Sequence, residues 1–164
     1  MGGPHRHAGR DVNRHRRDDG TIRAIGDHDL DRVVALWRAS GLVVPHNDPV
    51  EDIAFCRGSG HGDVLVAEEK GAIVAAAMVG HDGHRGWVYY VAVDPERRSR
   101  GWGQRIMDAA EAWLSRRGVR KMEFMIRNTN LPVREFYAHL GYEEEPVIVM
   151  SRWLGKDPAG AAGS

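Results

Sequence analysis

The chain has 164 residues, with 23 basic and 23 acidic side chains and a formal net charge of zero. This length favours one domain, and a 42% hydrophobic content supplies an ordinary core, which excludes a multidomain machine and a small disulfide-dependent scaffold. Balanced charge excludes a global attraction to nucleic acid or anionic lipid, and no apolar run reaches the roughly 20 residues of a membrane span.

The two ends of the chain have compositions that do not support folding. Residues 1–20 are rich in Arg, His, Gly and Asp, and residues 155–164 are rich in Gly and Ala. Neither end contains enough apolar side chains to offset the entropic cost of ordering. We therefore predict a disordered basic and His-rich arm at 1–20, a folded domain at 21–154 and a flexible tail at 155–164.

The first part of the folded region predicts one strand and two helices. Residues 21–25 alternate weakly and predict a strand. Apolar residues recur at helical spacing over 30–37, behind the possible N-cap Asp27. Asp48 is followed by a proline at the first helical position, so a second short helix is expected to start there.

Strands and helices then alternate toward the C-terminus. Short apolar runs predict a hairpin at 63–68 and 72–79, followed by a strand at 87–93. The rest of the folded region predicts a helix up to Gly118, a strand at 121–127, a helix at 133–140 and a last strand at 147–153. Hairpin strands followed by a βαβ unit predict an α/β (α+β) fold. Its mixed, mostly antiparallel sheet is flanked by helices and holds the strands at 87 and 121 as parallel neighbours.

The stretch from 91 to 104 runs from a strand through a basic turn into a helix. Gly101 and Gly103 permit close approach of the backbone, and the unpaired amides at a helix start attract anions. Arg97, Arg98 and Arg100 add positive charge at the same place. This pattern predicts a phosphate or pyrophosphate site, whereas two glycines alone would indicate only a solvated turn.

Two motifs resemble those of a known family. Arg98-x-x-Gly101-x-Gly103, after Val91-Ala92-Val93-Asp94-Pro95, resembles the acetyl-CoA signature of the GNAT superfamily of N-acetyltransferases. Asn130, followed by the segment 136–142 (Phe-Tyr-Ala-His-Leu-Gly-Tyr), is similar to a second motif of that superfamily at the usual separation. The order of predicted elements from 21 to 153 also resembles this fold. Residues 47–49 and 82–86 look most like the small bacterial YpeA-type acetyltransferases.

The resemblance implies a fold, a reaction and a coenzyme site. The fold would be a GNAT fold with a splayed parallel strand pair, and the reaction would move the acetyl group of acetyl-CoA to a primary amine of a small molecule or protein. Attack would be direct, in a ternary complex. The implied coenzyme-binding residues are Val91, Val93, Arg98, Ser99, Arg100, Gly101, Trp102, Gly103, Gln104 and Asn130.

The catalytic roles fall on two residues. Tyr137 occupies the position of the family's proton donor, and a phenol with a reference pKa of about 10 is protonated at neutral pH. Its alternative role is a core aromatic residue. Met125 stands where related ribosomal-protein acetyltransferases carry a glutamate, so Glu123, on the same strand face, is the candidate general base. The alternative, which has equal weight, is that Glu123 pairs with a neighbouring arginine and that a water molecule accepts the proton of the amine.

The acceptor side is expected between the first helices and the loop before the strand at 87. Carboxylates there would attract a cationic amine, and an arginine would suit an acceptor that carries a carboxylate. The candidate acceptor residues are Asn47, Asp48, Asp82, His84 and Arg85. The alternative is a solvated loop in which Asp82 and Arg85 pair with each other.

Parts of the sequence suggest three other functions. A noncatalytic acyl-CoA sensor would keep the fold without turnover, and a nucleic-acid-binding module would use the arginines of the basic turn and the arm, whose charge surplus is small. Nine histidines without metal-binding spacing predict no metal.

The single cysteine, Cys56, fits a reducing compartment. We expect a cytoplasmic monomer or homodimer that binds acetyl-CoA and an amine acceptor, with no nucleic acid and no membrane partner.

Overall fold

The computed structural model describes residues 20–155. The predicted arm, apart from Gly20, and the predicted tail, apart from Gly155, lie outside the described residues. Short 3₁₀ turns occur at Asp27–Asp29 and Pro95–Arg97. The helices and strands are β1 (Thr21–Ala24), α1 (Leu30–Ala39), α2 (Pro49–Gly58), β2 (Gly62–Glu69), β3 (Ala72–His81), β4 (Gly86–Val93), α3 (Trp102–Ser115), β5 (Met122–Glu123) and α4 (Leu131–His139).

The strands form one mixed sheet in the order β1-β2-β3-β4-β5. The first four strands are antiparallel to their neighbours, and β5 is parallel to β4. The predicted fold class and the parallel pair are therefore confirmed. β5 is shorter than predicted, because its register with β4 ends at Trp87 opposite Glu123 and the two segments separate beyond that pair.

The two faces of the sheet are covered by different helices. Alternation along β2 sends Val64 and Val66 to one core, beneath α1 and α2, and sends Leu65 and Ala67 to the other, beneath α3 and α4. None of the helices described in residues 20–155 is long and apolar enough to cross a membrane.

The start of α1 differs from the prediction at Asp27. A 3₁₀ turn precedes the helix, and the buried Asp29, rather than Asp27, accepts a hydrogen bond of 2.8 Å from the Gly26 amide. Asp29 also accepts bonds from two arginines, so its carboxylate holds the 3₁₀ turn and makes no side-chain capping bond to α1 itself. Asp27 instead pairs with Arg57 at 3.0 Å.

The strand predicted at 147–153 is wrong, because this segment has no regular secondary structure. β5 stops at Glu123 and residues 124–127 are not paired into the sheet, so β5 offers only a two-residue edge to a last strand. The apolar side chains from Val147 to Met150 are consequently exposed.

Candidate active site

A bulge in the middle of β4 shapes the centre of the sheet. Met78 pairs with Tyr89 and Ala76 pairs with Ala92, so two residues of β4 lie opposite Ala77. Tyr90 takes up the extra residue with φ of 53°, a left-handed conformation that is costly for a residue other than glycine. Strain of this kind concentrates at functional sites.

The bulge changes which side chains of β4 face each core. Val88 belongs to the core beneath α3 and α4, and so do Val91 and Val93, although their spacing from Val88 is odd. The extra residue sends Tyr90 to the opposite core, beneath α1 and α2. Beyond Trp87, no residue of the described chain pairs with the edge of β4 that faces β5. This opening leaves backbone groups at Val91 and Val93 beside a gap.

The basic turn leads directly into α3. Ser99 and Gly101 have φ of 61° and 80°, and the first helical bond runs from the Arg105 amide to the Gly101 carbonyl at 3.0 Å. Within residues 20–155, no backbone amide from Ser99 to Gln104 donates a hydrogen bond. These amides at a helix N-terminus form an anion-binding arrangement.

Two of the three arginines at this turn have side chains that are free to contact an anion. Arg98 and Arg100 are exposed, and neither forms an ion pair within the described residues. Arg97 turns back instead and donates to Glu69 at 2.6 Å. The positive charge available to an anion is therefore smaller than the sequence suggests.

Two of the implied coenzyme residues also have packing roles. A Cβ on Gly103 would lie 2.8 Å from Phe136 Cζ, so this glycine lets α4 pack against the start of α3. Trp102 is buried beneath the Arg105 guanidinium, which lies 4.0 Å from the ring centroid. A ligand at the turn can therefore contact the backbone amide of Trp102 but not its indole ring.

Tyr137 lies at the edge of the α3 and α4 core. It is 8% exposed and packs against Phe124, with ring centroids 4.4 Å apart, and against Phe136 and Tyr142. Burial raises the pKa of Tyr137 to about 12. Its hydroxyl has no hydrogen-bond partner among residues 20–155 and is not one of their buried unpaired atoms, so it reaches solvent. The ring of Tyr137 can therefore pack in the core while its protonated hydroxyl remains accessible as a proton donor.

Asn130 stands immediately before α4. Its backbone amide donates to the Arg127 carbonyl at 2.8 Å, while its exposed side chain makes no capping bond to the helix. The side-chain amide is therefore available to a ligand that lies along the gap between β4 and β5.

The candidate base Glu123 is surrounded by cations. Its Oε1 lies 3.5 Å from Arg85 Nε and 3.4 Å from Lys121 Nζ. Lys121 also donates to Glu145 at 2.7 Å. These contacts match the alternative in which Glu123 pairs with a neighbouring arginine.

The loop between β3 and β4 is closed by its own contacts. Asp82 Oδ1 accepts from the amides of His84 and Arg85, and Oδ2 accepts from Trp87 Nε1 at 3.0 Å. The Arg85 amide bond is the largest of the contacts that hold the pKa of Asp82 well below its usual range. Asp82 therefore binds the backbone of Arg85 rather than its guanidinium, and His84 remains exposed.

Asp48 and Asn47 are both engaged within the described chain. Asp48 Oδ1 accepts from the Val50 amide at 2.8 Å, as predicted for the N-cap of α2. Asn47 Nδ2 lies 3.4 Å from the Tyr90 hydroxyl. Both line an open depression of about 560 Å³ that continues along the loop from Val43 to His46.

A group of three side chains beside this depression was missed by sequence reasoning. The Tyr90 hydroxyl donates to Asp52 Oδ2 at 2.6 Å, and the Tyr90 ring stacks on Trp37 with centroids 4.4 Å apart. Burial, followed by the hydrogen bond to Asp52, raises the pKa of Tyr90. Asp48 and Asp52 are four residues apart and so share one helix face, which was the available signal. Nothing in the sequence signals the bulge that turns Tyr90 toward α2.

Comparison with known proteins gives concordant matches. The model of the acetyltransferase (GNAT) family matches residues 30–142. An acetyltransferase of Yersinia enterocolitica is 38% identical over 133 residues, which cover 81% of this chain and 94% of that protein.

Solved structures share the fold at low identity. AAC(6')-Iy in complex with the bisubstrate analogue CoA-S-monomethyl-acetylneamine has a TM-score of 0.71 and 20% identity, covering 82% of this chain and 97% of its own. A predicted acetyltransferase from Clostridium acetobutylicum, solved with acetyl-CoA, has a TM-score of 0.64 and 15% identity, covering 81% and 96%.

Proposed function

This chain belongs to the acetyltransferase (GNAT) family, and from that membership we propose that it transfers the acetyl group of acetyl-CoA to a primary amine by direct attack in a ternary complex. Among small bacterial relatives we place it with the YpeA-type enzymes, on the residues at 47–49 and 82–86. The single cysteine supports a cytoplasmic location.

One observation carries the proposal. The unpaired amides from Ser99 to Gln104 lie at the end of the same strand whose edge is open beyond Trp87. The turn would bind the diphosphate of the coenzyme, with Arg98 and Arg100 contributing charge. The acyl-pantetheine arm would then lie along the open edge and bond to backbone groups of Val91 and Val93, while Asn130 fixes the arm from the α4 side.

The reaction requires stabilisation of an oxyanion and a proton for the departing thiolate. A backbone amide on the open edge of β4 supplies the first, because a fixed dipole is worth more in a site that excludes water. Tyr137 supplies the second. Burial raises the pKa of this phenol to about 12, so the hydroxyl is protonated at neutral pH. The proton that it gives to the departing sulfur is replaced by one from the attacking nitrogen, which becomes acidic as the carbon–nitrogen bond forms.

The amine must lose a proton before it attacks. Glu123 was the candidate for this step, but it already lies within 3.5 Å of two cations, which favours a structural role. Proton transfer through water, or to another carboxylate on the acceptor side, is better supported by these contacts.

The test has two stages. Acetyl-CoA at 100 times its Kd should stabilise the protein by about 2.7 kcal/mol, which raises the Tm by roughly 5 to 10 °C at this chain length. Release of CoA thiol is then followed with alkylamines, polyamines, lysine peptides and aminoglycosides. Stabilisation without amine-dependent thiol release would favour a noncatalytic acyl-CoA sensor, and absence of both would contradict the proposal.

A further inference from the structure

We propose that Asp52 binds the ammonium group of the acceptor and removes its proton, a role that rests on the proposed acetyl transfer. The other acidic side chains predicted near the acceptor are committed elsewhere. Glu123 pairs with two cations, Asp82 closes its own loop, and Asp48 caps α2.

Asp52 has a free acceptor oxygen. Its Oδ2 accepts from the Tyr90 hydroxyl at 2.6 Å, and Oδ1 accepts no hydrogen bond from residues 20–155. Arg57, the arginine of the same helix, pairs with Asp27 at 3.0 Å and approaches Asp63 at 3.9 Å instead. Asp52 is half-buried and forms no ion pair within the described part of the chain. Such a carboxylate lacks the cation that would offset its partial desolvation.

Tyr90 holds this carboxylate next to the reaction centre. The bulge at Tyr90 turns its side chain away from the core beneath α3 and α4, where Val91 and Val93 face. Stacking on Trp37 and the contact with Asn47 fix the ring on the α2 side of the sheet. Tyr90 precedes Val91 directly, so Asp52 lies on the acceptor side of the strand along which the thioester is proposed to lie.

This position determines the class of acceptor. An alkylammonium group has a reference pKa of about 10.4, so only about one molecule in 10³ is a neutral nucleophile near pH 7.5. A carboxylate within hydrogen-bond reach, or one water away, both binds the cation and accepts its proton. Asp52 therefore selects primary amines that are cationic at neutral pH.

The proton transfers balance over one turnover. The ammonium gives one proton to Asp52, and the neutral nitrogen attacks the thioester carbonyl carbon. The carbon–sulfur bond then breaks, and the CoA thiolate takes a proton from Tyr137. The second nitrogen proton returns to the Tyr137 phenolate, and Asp52 releases its proton to solvent, so the products are an amide, free CoA and one proton.

The test compares two kinds of nucleophile. Butylamine, spermidine and the tripeptide Gly-Lys-Gly are cationic at pH 7.5, whereas hydroxylamine is largely neutral and needs no base before attack. For the fastest alkylamine, Asp52→Asn is expected to lower kcat/KM by about 100-fold or more, while hydroxylamine changes by less than about threefold. Asp31→Asn, at an exposed carboxylate of α1, is the matched control and should change neither.

A second variant separates positioning from folding. Tyr90→Phe keeps the ring that stacks on Trp37 but removes the hydroxyl that orients Asp52. We expect about a tenfold loss with the alkylamine and none with hydroxylamine. If Asp52→Asn is not stabilised by acetyl-CoA, its fold is compromised and Tyr90→Phe decides the comparison.

The outcomes distinguish this inference from the proposed function. Equal losses with both nucleophiles, or no loss with either, would overturn the role of Asp52 while leaving acetyl transfer intact. A wild-type protein that uses hydroxylamine but no alkylamine would do the same. A wild type that neither binds acetyl-CoA nor uses any nucleophile would refute the proposed function, and this inference with it.

Discussion

The Arg85 guanidinium lies 3.5 Å from the Glu123 carboxylate, so a predicted acceptor residue pairs with the predicted base. These residues are far apart in the sequence and meet because the end of the loop before β4 lies beside β5. Each satisfies the other, which leaves neither charge fully available to a substrate. The sequence left two roles for Glu123, the general base and the ion-pair partner of an arginine, and a single substitution distinguishes them.

Glu123→Gln is expected to leave turnover nearly unchanged. Because the carboxylate is committed to Arg85 and Lys121, its removal should alter kcat/KM for the best amine by less than about threefold, against the 10²- to 10⁴-fold that removal of a base costs. These ion pairs contribute little to stability, because solvent screens them. Steady-state kinetics beside Asp52→Asn provide the comparison, and a loss of 100-fold with Glu123→Gln would restore Glu123 as the base.

Tyr137→Phe should lower kcat and leave coenzyme binding intact. The variant keeps the ring that packs on Phe124 and loses the proton donor, so we expect about a 10²-fold or larger decrease in kcat. Since burial raises the pKa of Tyr137 to about 12, the wild-type donor stays protonated throughout the neutral range and up to about pH 11. A wild-type kcat that declines with a pKa near 10, together with full activity of Tyr137→Phe, would assign the proton to another group.

The exposed arginines of the basic turn should contribute to acetyl-CoA affinity, whereas the paired Arg97 should not. Arg98→Gln is expected to weaken acetyl-CoA binding by about 10- to 100-fold, because a charge-assisted bond to phosphate contributes roughly 1.5 to 3 kcal/mol. Arg97→Gln should leave the Kd unchanged, because Arg97 donates to Glu69. Calorimetric titration of both variants tests this, and an equal loss of affinity in the two would mean that Arg97 also reaches the coenzyme.

Asp29 is expected to stabilise the fold rather than the reaction. Its fully buried carboxylate accepts bonds of 2.5 Å from Arg23 and from Arg32, and the Arg23 contact is the largest cause of its lowered pKa. Asp29→Asn removes the charge that both arginines share and leaves Arg23 with Glu68 as its remaining partner, so we expect a loss of about 1.5 to 3 kcal/mol at neutral pH.

The pH dependence has a definite sign. Because the pKa of Asp29 is lowered on folding from the ordinary value of 3.8, its contribution is complete above that value and is lost as the pH falls below it. The difference in unfolding free energy between wild type and Asp29→Asn should therefore stay constant from pH 7 to about pH 4 and shrink at lower pH. A difference at pH 3 that equals the difference at pH 7 would show that the contribution is not electrostatic.

Local patterns predicted most of the elements. The N-cap at Asp48 follows from residue types next to each other in the chain, and so does the turn that ends at Gly101. Connection lengths predicted which strands pair, because a hairpin joins antiparallel neighbours and a helix joins parallel ones. The parallel pairing of β4 with β5 was predicted in this way.

Features fixed by distant contacts could not be predicted. Tyr90 reads as an ordinary strand residue, and its left-handed conformation depends on packing against Trp37 and Asp52 from other elements. The partner of Glu123 likewise depends on where the loop before β4 meets β5. The failed strand at 147–153 needed a sheet edge, and β5 ends after two residues.

The most direct measurement is a crystal structure of the protein with acetyl-CoA. The account predicts diphosphate oxygens at about 3 Å from backbone amides between Ser99 and Gln104, with the thioester beside Val91. A diphosphate bound elsewhere, with those amides turned to carbonyls of the protein, would contradict it.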